Sequence, residues 1–182
     1  MNPHDTLTQW LERAAAVRTR MVAVGCKAGL AHPAQVAGKT GLEIMQAMLT
    51  GDLPYSHIAE TLDFALVEVA PGSVTFQGTP QLKHYNPLGS VHGGWFATLL
   101  DSAVGCAVHT MMPVGRGYTT AELSVNIVRA VSEKTGPLRA IGSVIHCGRQ
   151  LATAEGRLVG PDGKLYAHAT TTCLVFELPA NS

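Results

Sequence analysis

The sequence lacks an excess of either charge: thirteen Lys plus Arg stand against thirteen Asp plus Glu in 182 residues. Without a basic field there is no electrostatic footprint for nucleic acid, and there is no acidic tail. The four cysteines, Cys26, Cys106, Cys147 and Cys173, include no C-x-x-C pair, so neither a zinc knuckle nor a dithiol redox motif is supported. Widely spaced single thiols suit a reducing compartment, and the expected location is the cytoplasm. The N-terminus shows no apolar core after a basic start, so no secretory leader is expected. Repeats and low-complexity tracts are missing too. Charged residues make up only 14% of the chain and apolar residues 46%, a balance that fits burial of further surface between subunits.

What is present centres on His84 to Met112, HYNPLGSVHGGWFATLLDSAVGCAVHTMM. Asn86-Pro87-Leu88-Gly89 is a turn-rich approach. Pro87 and the glycines forbid a regular element before His92, and Pro113 and Gly115 stop the helix after Met112. Between them runs one helix of about five turns. Trp95, Phe96, Leu99, Leu100, Ala103, Val104, Ala107, Val108 and Met111 recur at i, i+3/i+4 spacing. The opposite stripe, Thr98, Asp101, Ser102, Gly105 and His109, is small or polar and holds little charge. The helix is therefore expected to be buried nearly all round. Its length raises a membrane span, but Asp101 near the centre speaks against one.

A carboxylate in the middle of a buried helix is costly unless it is paired or hydrogen-bonded. Asp101 is thus either a structural residue bonded to Ser or Thr across a packing seam or a functional one. The functional reading uses both ends of the stretch. Backbone N–H groups in the first helical turn are unpaired and sit at the positive dipole end. Gly93 and Gly94 leave them unshielded, so a carbonyl or oxyanion can approach. That suits acyl transfer, with Asp101 as base or nucleophile. Gly93 and Asp101 are separated by about 12 Å along one helix, too far to touch one reacting carbonyl. Two copies of the helix, antiparallel about a two-fold axis, bring Asp101 of one near Gly93 of the other.

The rest of the chain divides into residues 1–55, an N-terminal helical extension and linker, and residues 56–182, the main domain. Residues 1–24 read as an amphipathic helix with Asp5 as its cap and Leu7, Trp10, Leu11, Ala14, Val17 and Met21 on one face. The helix is expected to pack on the main body or on a partner subunit. Lys27 to Gly41 reads as a linker, and Leu42 to about Thr50 as a second helix. Leu62 to Val69 and Ser73 to Thr79 form a hairpin about Pro71-Gly72. After the long helix, Thr120 to Val128 alternates, with Ala121, Leu123, Val125 and Ile127 on one face and Thr120, Glu122, Ser124 and Asn126 on the other. Strands follow at Leu138 to Cys147, Gln150 to Val159 and Leu165 to Phe176. An α+β architecture results: an antiparallel sheet curled around a single apolar helix.

Asn86-x-x-Gly89-x-x-His92-Gly93-Gly94, with Asp101 seven residues beyond Gly94, resembles the motif of hotdog-fold thioesterases of the PaaI-like, phenylacetate-degradation group. The strand order matches over roughly residues 60–177. The resemblance implies a hotdog fold and hydrolysis of acyl-CoA or aryl-CoA thioesters by a homodimer or homotetramer; no metal, cofactor, nucleic acid or membrane partner is expected. It implies that the Gly93 N–H, helped by Asn86, polarises the thioester carbonyl. His92 would position the loop by a hydrogen bond with Asn86, and Asp101 of the neighbouring subunit would activate water or attack directly. A hydroxyl after the helix holds the water in several members; Thr120 is the match, with Thr119 as the fallback. Gly94 and Trp95 are expected at the substrate, with Phe96, Met111 and Met112 as further pocket candidates that core packing explains equally well. For CoA phosphate the candidates are Arg149 and Arg129, although both also read as solvated surface charges.

Other chemistries fit less well. Ser90 is not in a G-x-S-x-G elbow, and Ser102 points about 100° away from Asp101 on the helix. His84, His92 and His109 lack the spacing of metal ligands. Two rival readings remain: a non-catalytic acyl-CoA sensing module and an acyl-thioester hydratase or dehydratase. Asp101 together with Asn86 argues against the first. A histidine leading directly into the glycine pair favours carbonyl polarisation over the second.

Overall fold

An apolar helix needs a surface to lie against, and the sheet supplies it. The computed structural model describes residues 3–179. The helices are α1 (Pro3–Ala23), α2 (Pro33–Val36), α3 (Gly41–Thr50), α4 (His57–Thr61) and α5 (Gly93–His109). The strands are β1 (Phe64–Ala70), β2 (Ser73–Gly78), β3 (Arg116–Ile127), β4 (Leu138–Cys147), β5 (Leu151–Val159) and β6 (Leu165–Glu177). They form one curved antiparallel sheet in the order β1-β2-β4-β5-β6-β3. Helix α5 packs against β2, β4, β5, β6 and β3. This is the hotdog architecture.

The helix lies close to the sheet because two paired positions carry no side chain. Gly142 and Gly156 face each other across β4 and β5. A Cβ on Gly142 would sit 2.2 Å from the Ala103 carbonyl oxygen, and one on Gly156 would sit 2.7 Å from Val104 Cγ1. Glycine within a strand here marks close approach of another backbone. Leu99, Leu100, Ala103, Val104, Ala107 and Val108 are all fully buried. The α5 stripe of Thr98, Asp101, Ser102, Cys106 and His109 is only half-buried, so the helix is not enclosed on every side. The sheet stops at β3 and does not close over that face. Met111, expected on the apolar face, lies beyond the helix end and is exposed.

Several local expectations change. Helix α1 begins at Pro3, so Asp5 lies inside its first turn; residues 1–2 fall outside the described part, as do residues 180–182. The linker contains α2, with its own His32–Gln35 capping box, and α4 precedes the first strand. Strand β3 starts at Arg116 and carries a bulge between Thr120 and Glu122. Thr120 pairs with Cys173 and Glu122 with Thr172, leaving Ala121 as the extra residue. A bulge resets the alternation. Thr120 therefore shares the inner face with Leu123, Val125 and Ile127, contrary to plain period-two counting.

Candidate active site

The loop before α5 is held by its own side chains. Asn86 Oδ1 accepts from the N–H groups of Leu88 (2.9 Å) and Ser90 (3.2 Å), and Asn86 Nδ2 donates to Ser90 Oγ (2.9 Å). The Asn86 N–H donates to the Ser90 carbonyl at 2.7 Å, and Gly89 adopts φ 86°. This is the turn chemistry of an Asx residue followed by proline and glycine. His92 makes no bond to Asn86. Instead it caps α5, its Nδ1 accepting the Gly94 N–H at 2.9 Å, because an N-cap side chain satisfies an otherwise orphaned donor. The Gly94 N–H is thereby occupied. Trp95 N–H turns back to the His92 carbonyl, and the Gly93 N–H makes no hydrogen bond within the described chain.

Two turns further along, Thr120 Oγ1 donates to Asp101 Oδ1 at 3.2 Å. Thr120, rather than Thr119, makes this contact because the bulge turns it inward. Asp101 is half-buried, and its neighbours are weak acids. Burial, reinforced by the Asp101 charge, pushes the Cys106 thiol up to about 12. Burial first, then Cys106, Cys173 and Asp101, raises the Tyr118 phenol well above its ordinary value. Cys173 is raised by burial as well. These three groups stay protonated at neutral pH. Sequence reasoning misses Tyr118, Cys106 and Cys173 as neighbours of the site, because only the docking of a strand on a helix brings them together.

Helix α5 runs alongside β3: a Cβ on Gly93 would lie 3.4 Å from Ile127, and one on Gly105 would lie 3.3 Å from Tyr118. Gly93 and Asp101 thus sit at separate points of one chain. Trp95 is a core residue, 2% exposed, donating from Nε1 to the Leu62 carbonyl and packed on His84 and Phe96; it has no open surface for a ligand. Phe96 and Met112 are also buried. Arg149 lies at the other end of β3, its carbonyl accepting from the Arg116 guanidinium. Arg129 lies just past the Ile127 end, its N–H on the Tyr166 carbonyl. Among the described residues, no group of three or more His, Cys, Asp or Glu could hold a metal ion, and no helix is long and apolar enough to cross a membrane.

Residues 88–167 match the Thioesterase superfamily model. A phenylacetic acid degradation-related protein of Ralstonia eutropha JMP134, provisionally described as a thioesterase, superposes with a TM-score of 0.65. It is 30% identical over 71% of this chain and 98% of its own. A mutant of the phenylacetic acid degradation protein PaaI of Thermus thermophilus is 26% identical, with a TM-score of 0.58, over 64% of this chain and 96% of that one. A Halobacterium salinarum protein named provisionally as an esterase is 39% identical over 75 residues, 40% of this chain. The chain matches about half of that curated relative's length, 48%. Fold and motif define a hotdog protein of the thioesterase class. The chain belongs to the thioesterase superfamily, in its PaaI-like group.

Proposed function

We propose that the protein is a cytoplasmic acyl-CoA or aryl-CoA thioesterase that works as a homo-oligomer, with each site shared between two copies. The observation that carries this is Asp101, held by Thr120 on the uncovered stripe of α5 beside the edge strand β3. The unpaired Gly93 N–H lies about 12 Å away along the same helix. Strand β3 is long, and an unpaired edge of that kind is a template for another strand. Antiparallel pairing of β3 with its own copy brings Thr120 opposite the partner's Ile127, and hence Asp101 toward the partner's Gly93. The bulge selects the register. With Ser124 on the two-fold axis, Leu123 faces the partner's Val125 and Glu122 the partner's Asn126, so inward residues meet inward residues.

In the shared site the partner's Gly93 N–H stabilises the thioester oxygen as charge develops on it, where a preorganised donor is most effective. Asn86 keeps the donor loop in shape and retains one Nδ2 hydrogen for the carbonyl. Asp101 takes a proton from water, whose oxygen attacks the carbonyl carbon. The C–S bond then breaks, and the thiolate of CoA takes up the proton. Direct attack by Asp101 expels the CoA thiolate as a mixed anhydride forms, and water then hydrolyses the anhydride to the acid and the free Asp101 carboxylate.

The test is thiol release from a panel of aryl-CoA and aliphatic acyl-CoA esters, with wild type beside Asp101→Asn. The expected result is cleavage of one ester class and a loss of at least about a hundredfold in kcat in the folded variant. Binding of CoA esters without cleavage would favour the sensing module. The shared site has its own check: Ser124→Cys should form an inter-subunit disulfide on mild oxidation, since opposed strand positions lie within disulfide reach.

A further inference from the structure

We propose that His84, buttressed by Asp63, is a positioning residue that sets the Gly93 donor by anchoring the base of the Asn86–His92 loop. This rests on the thioesterase reading for its catalytic consequence, though not for its structural one. His84 closes a short 3-10 turn, Leu82–His84, and is 5% exposed. Its Nδ1 accepts the Gln81 N–H at 3.1 Å, so the ring proton belongs on Nε2, the nitrogen 3.1 Å from Asp63 Oδ2. The ring stacks on Trp95 in the first turn of α5, with centroids 5.8 Å apart. The His84 carbonyl accepts the His92 N–H at 2.8 Å, and Tyr85 bridges Val91. His84 therefore holds both ends of the loop: its carbonyl takes the His92 N–H, and its ring, set by Gln81 and Asp63, packs on Trp95 at the start of α5.

Asp63 has the marks of a residue held for a purpose. Its φ of 53° is the sole positive value among the described non-glycine residues, a conformation that aspartate tolerates better than most side chains. Its carboxylate also takes Lys83 Nζ at 2.7 Å. Burial lowers the His84 pKa against the opposing pull of Asp63, in keeping with the neutral ring that the Gln81 bond requires. A second proton on Nδ1 would remove the acceptor that Gln81 uses. The imidazole has no place in bond making, because Asp63, Gln81 and Trp95 surround it. Its lever is the direction of the Gly93 N–H.

The experiment compares wild type, His84→Phe, which retains a ring for Trp95, and His84→Gln, which offers both an acceptor and a donor. Two readouts apply. Hydrogen exchange of residues 84–94 should quicken in His84→Phe, with the melting temperature of the whole protein little changed. In steady state, kcat should fall about thirtyfold with KM within threefold, and His84→Gln should recover part of it. A trifluoromethyl ketone analogue of the CoA ester, which mimics the oxyanion, should lose affinity in step with kcat, and a plain thioether analogue should not. Unchanged exchange overturns the proposal, and so does quickened exchange with wild-type kcat. A kcat loss that merely follows global unfolding in both variants overturns it as well. If wild type cleaves no thioester, the hydrolase reading fails, and exchange alone decides whether His84 sets the loop.

Discussion

The two edges of the sheet are built differently. β1 is packed against α1, α3 and α4, and Phe64, Leu66 and Val67 are buried there. β3, the other edge, has no buried residue along its twelve. Helices α1 and α3 of the N-terminal extension thus cover β1, whereas β3 packs on α5 and β6 of the main domain. Both strands carry a bulge, at Leu66/Glu68 and at Thr120/Glu122, but to different ends. On the covered edge it tucks Val67 into the interior; on the bare edge it turns a hydroxyl toward a carboxylate. An edge left uncovered yet shaped this carefully is one expected to receive a strand.

Inserting one alanine between Leu123 and Ser124 should break this contrast most severely. A one-residue change of register sends every side chain beyond it to the opposite face, so Val125 and Ile127 turn outward while Thr120 and Leu123 stay inward. Expected are loss of the oligomer in sedimentation and a fall in kcat beyond about a hundredfold. Retained activity would remove the β3 register from the mechanism. Thr120→Val is the milder version, keeping the shape and dropping the hydroxyl. One hydrogen bond to a charged group is worth about 1.5 kcal/mol or somewhat more, so kcat should fall roughly tenfold with the oligomer intact.

The covered edge should respond in stability instead. Arg139 donates from Nε to Gln77 (3.0 Å) and from Nη1 to Glu68 (2.9 Å), and its guanidinium lies 4.6 Å from the Trp10 ring centroid. Glu68 also pairs with Arg13 at 3.3 Å, tying α1 to β1, β2 and β4. Arg139→Met should cost about 2 kcal/mol, a drop in Tm of roughly 4–8 °C, with kcat within about twofold of wild type. A large kcat loss without a Tm change would place the extension in the chemistry.

Sequence pattern is strongest where one period runs unbroken. The apolar repeat of α5 and the turn-bounded runs of β4, β5 and β6 foretell those elements closely, and the motif names the family. Pattern fails where a single residue breaks the period. Ala121 is small enough for either face, so nothing in the alternation betrays the bulge, and plain counting puts Thr120 on the outer side. Gly142 and Gly156 are far apart in sequence, and only pairing makes them one groove. The Asx turn at Asn86 is the exception, a readable signal that is easily passed over: Asn-Pro-x-Gly is local chemistry, and it explains why that side chain serves its own loop before any ligand.

The smallest expected effect concerns His109, at the C-terminal end of α5. Its ring packs against Tyr118, with centroids 5.4 Å apart, and a Cβ on Gly41 would overlap the His109 carbonyl oxygen at 1.8 Å. Here the extension and the open stripe meet. Burial lowers the His109 pKa in the folded chain, whereas in the unfolded chain it titrates near the ordinary value of about 6.5. The unfolded state therefore binds the proton first. Stability from the neutral ring is full above about 6.5 and declines as pH falls from there through the folded-state value. His84 is shifted the same way by its own burial, so the two add. His109→Gln should flatten part of the fall in Tm between about pH 7 and 5, leaving the remainder to His84. An unchanged slope would mean that the ring can turn to solvent through the gap beside β3 and take its proton without unfolding.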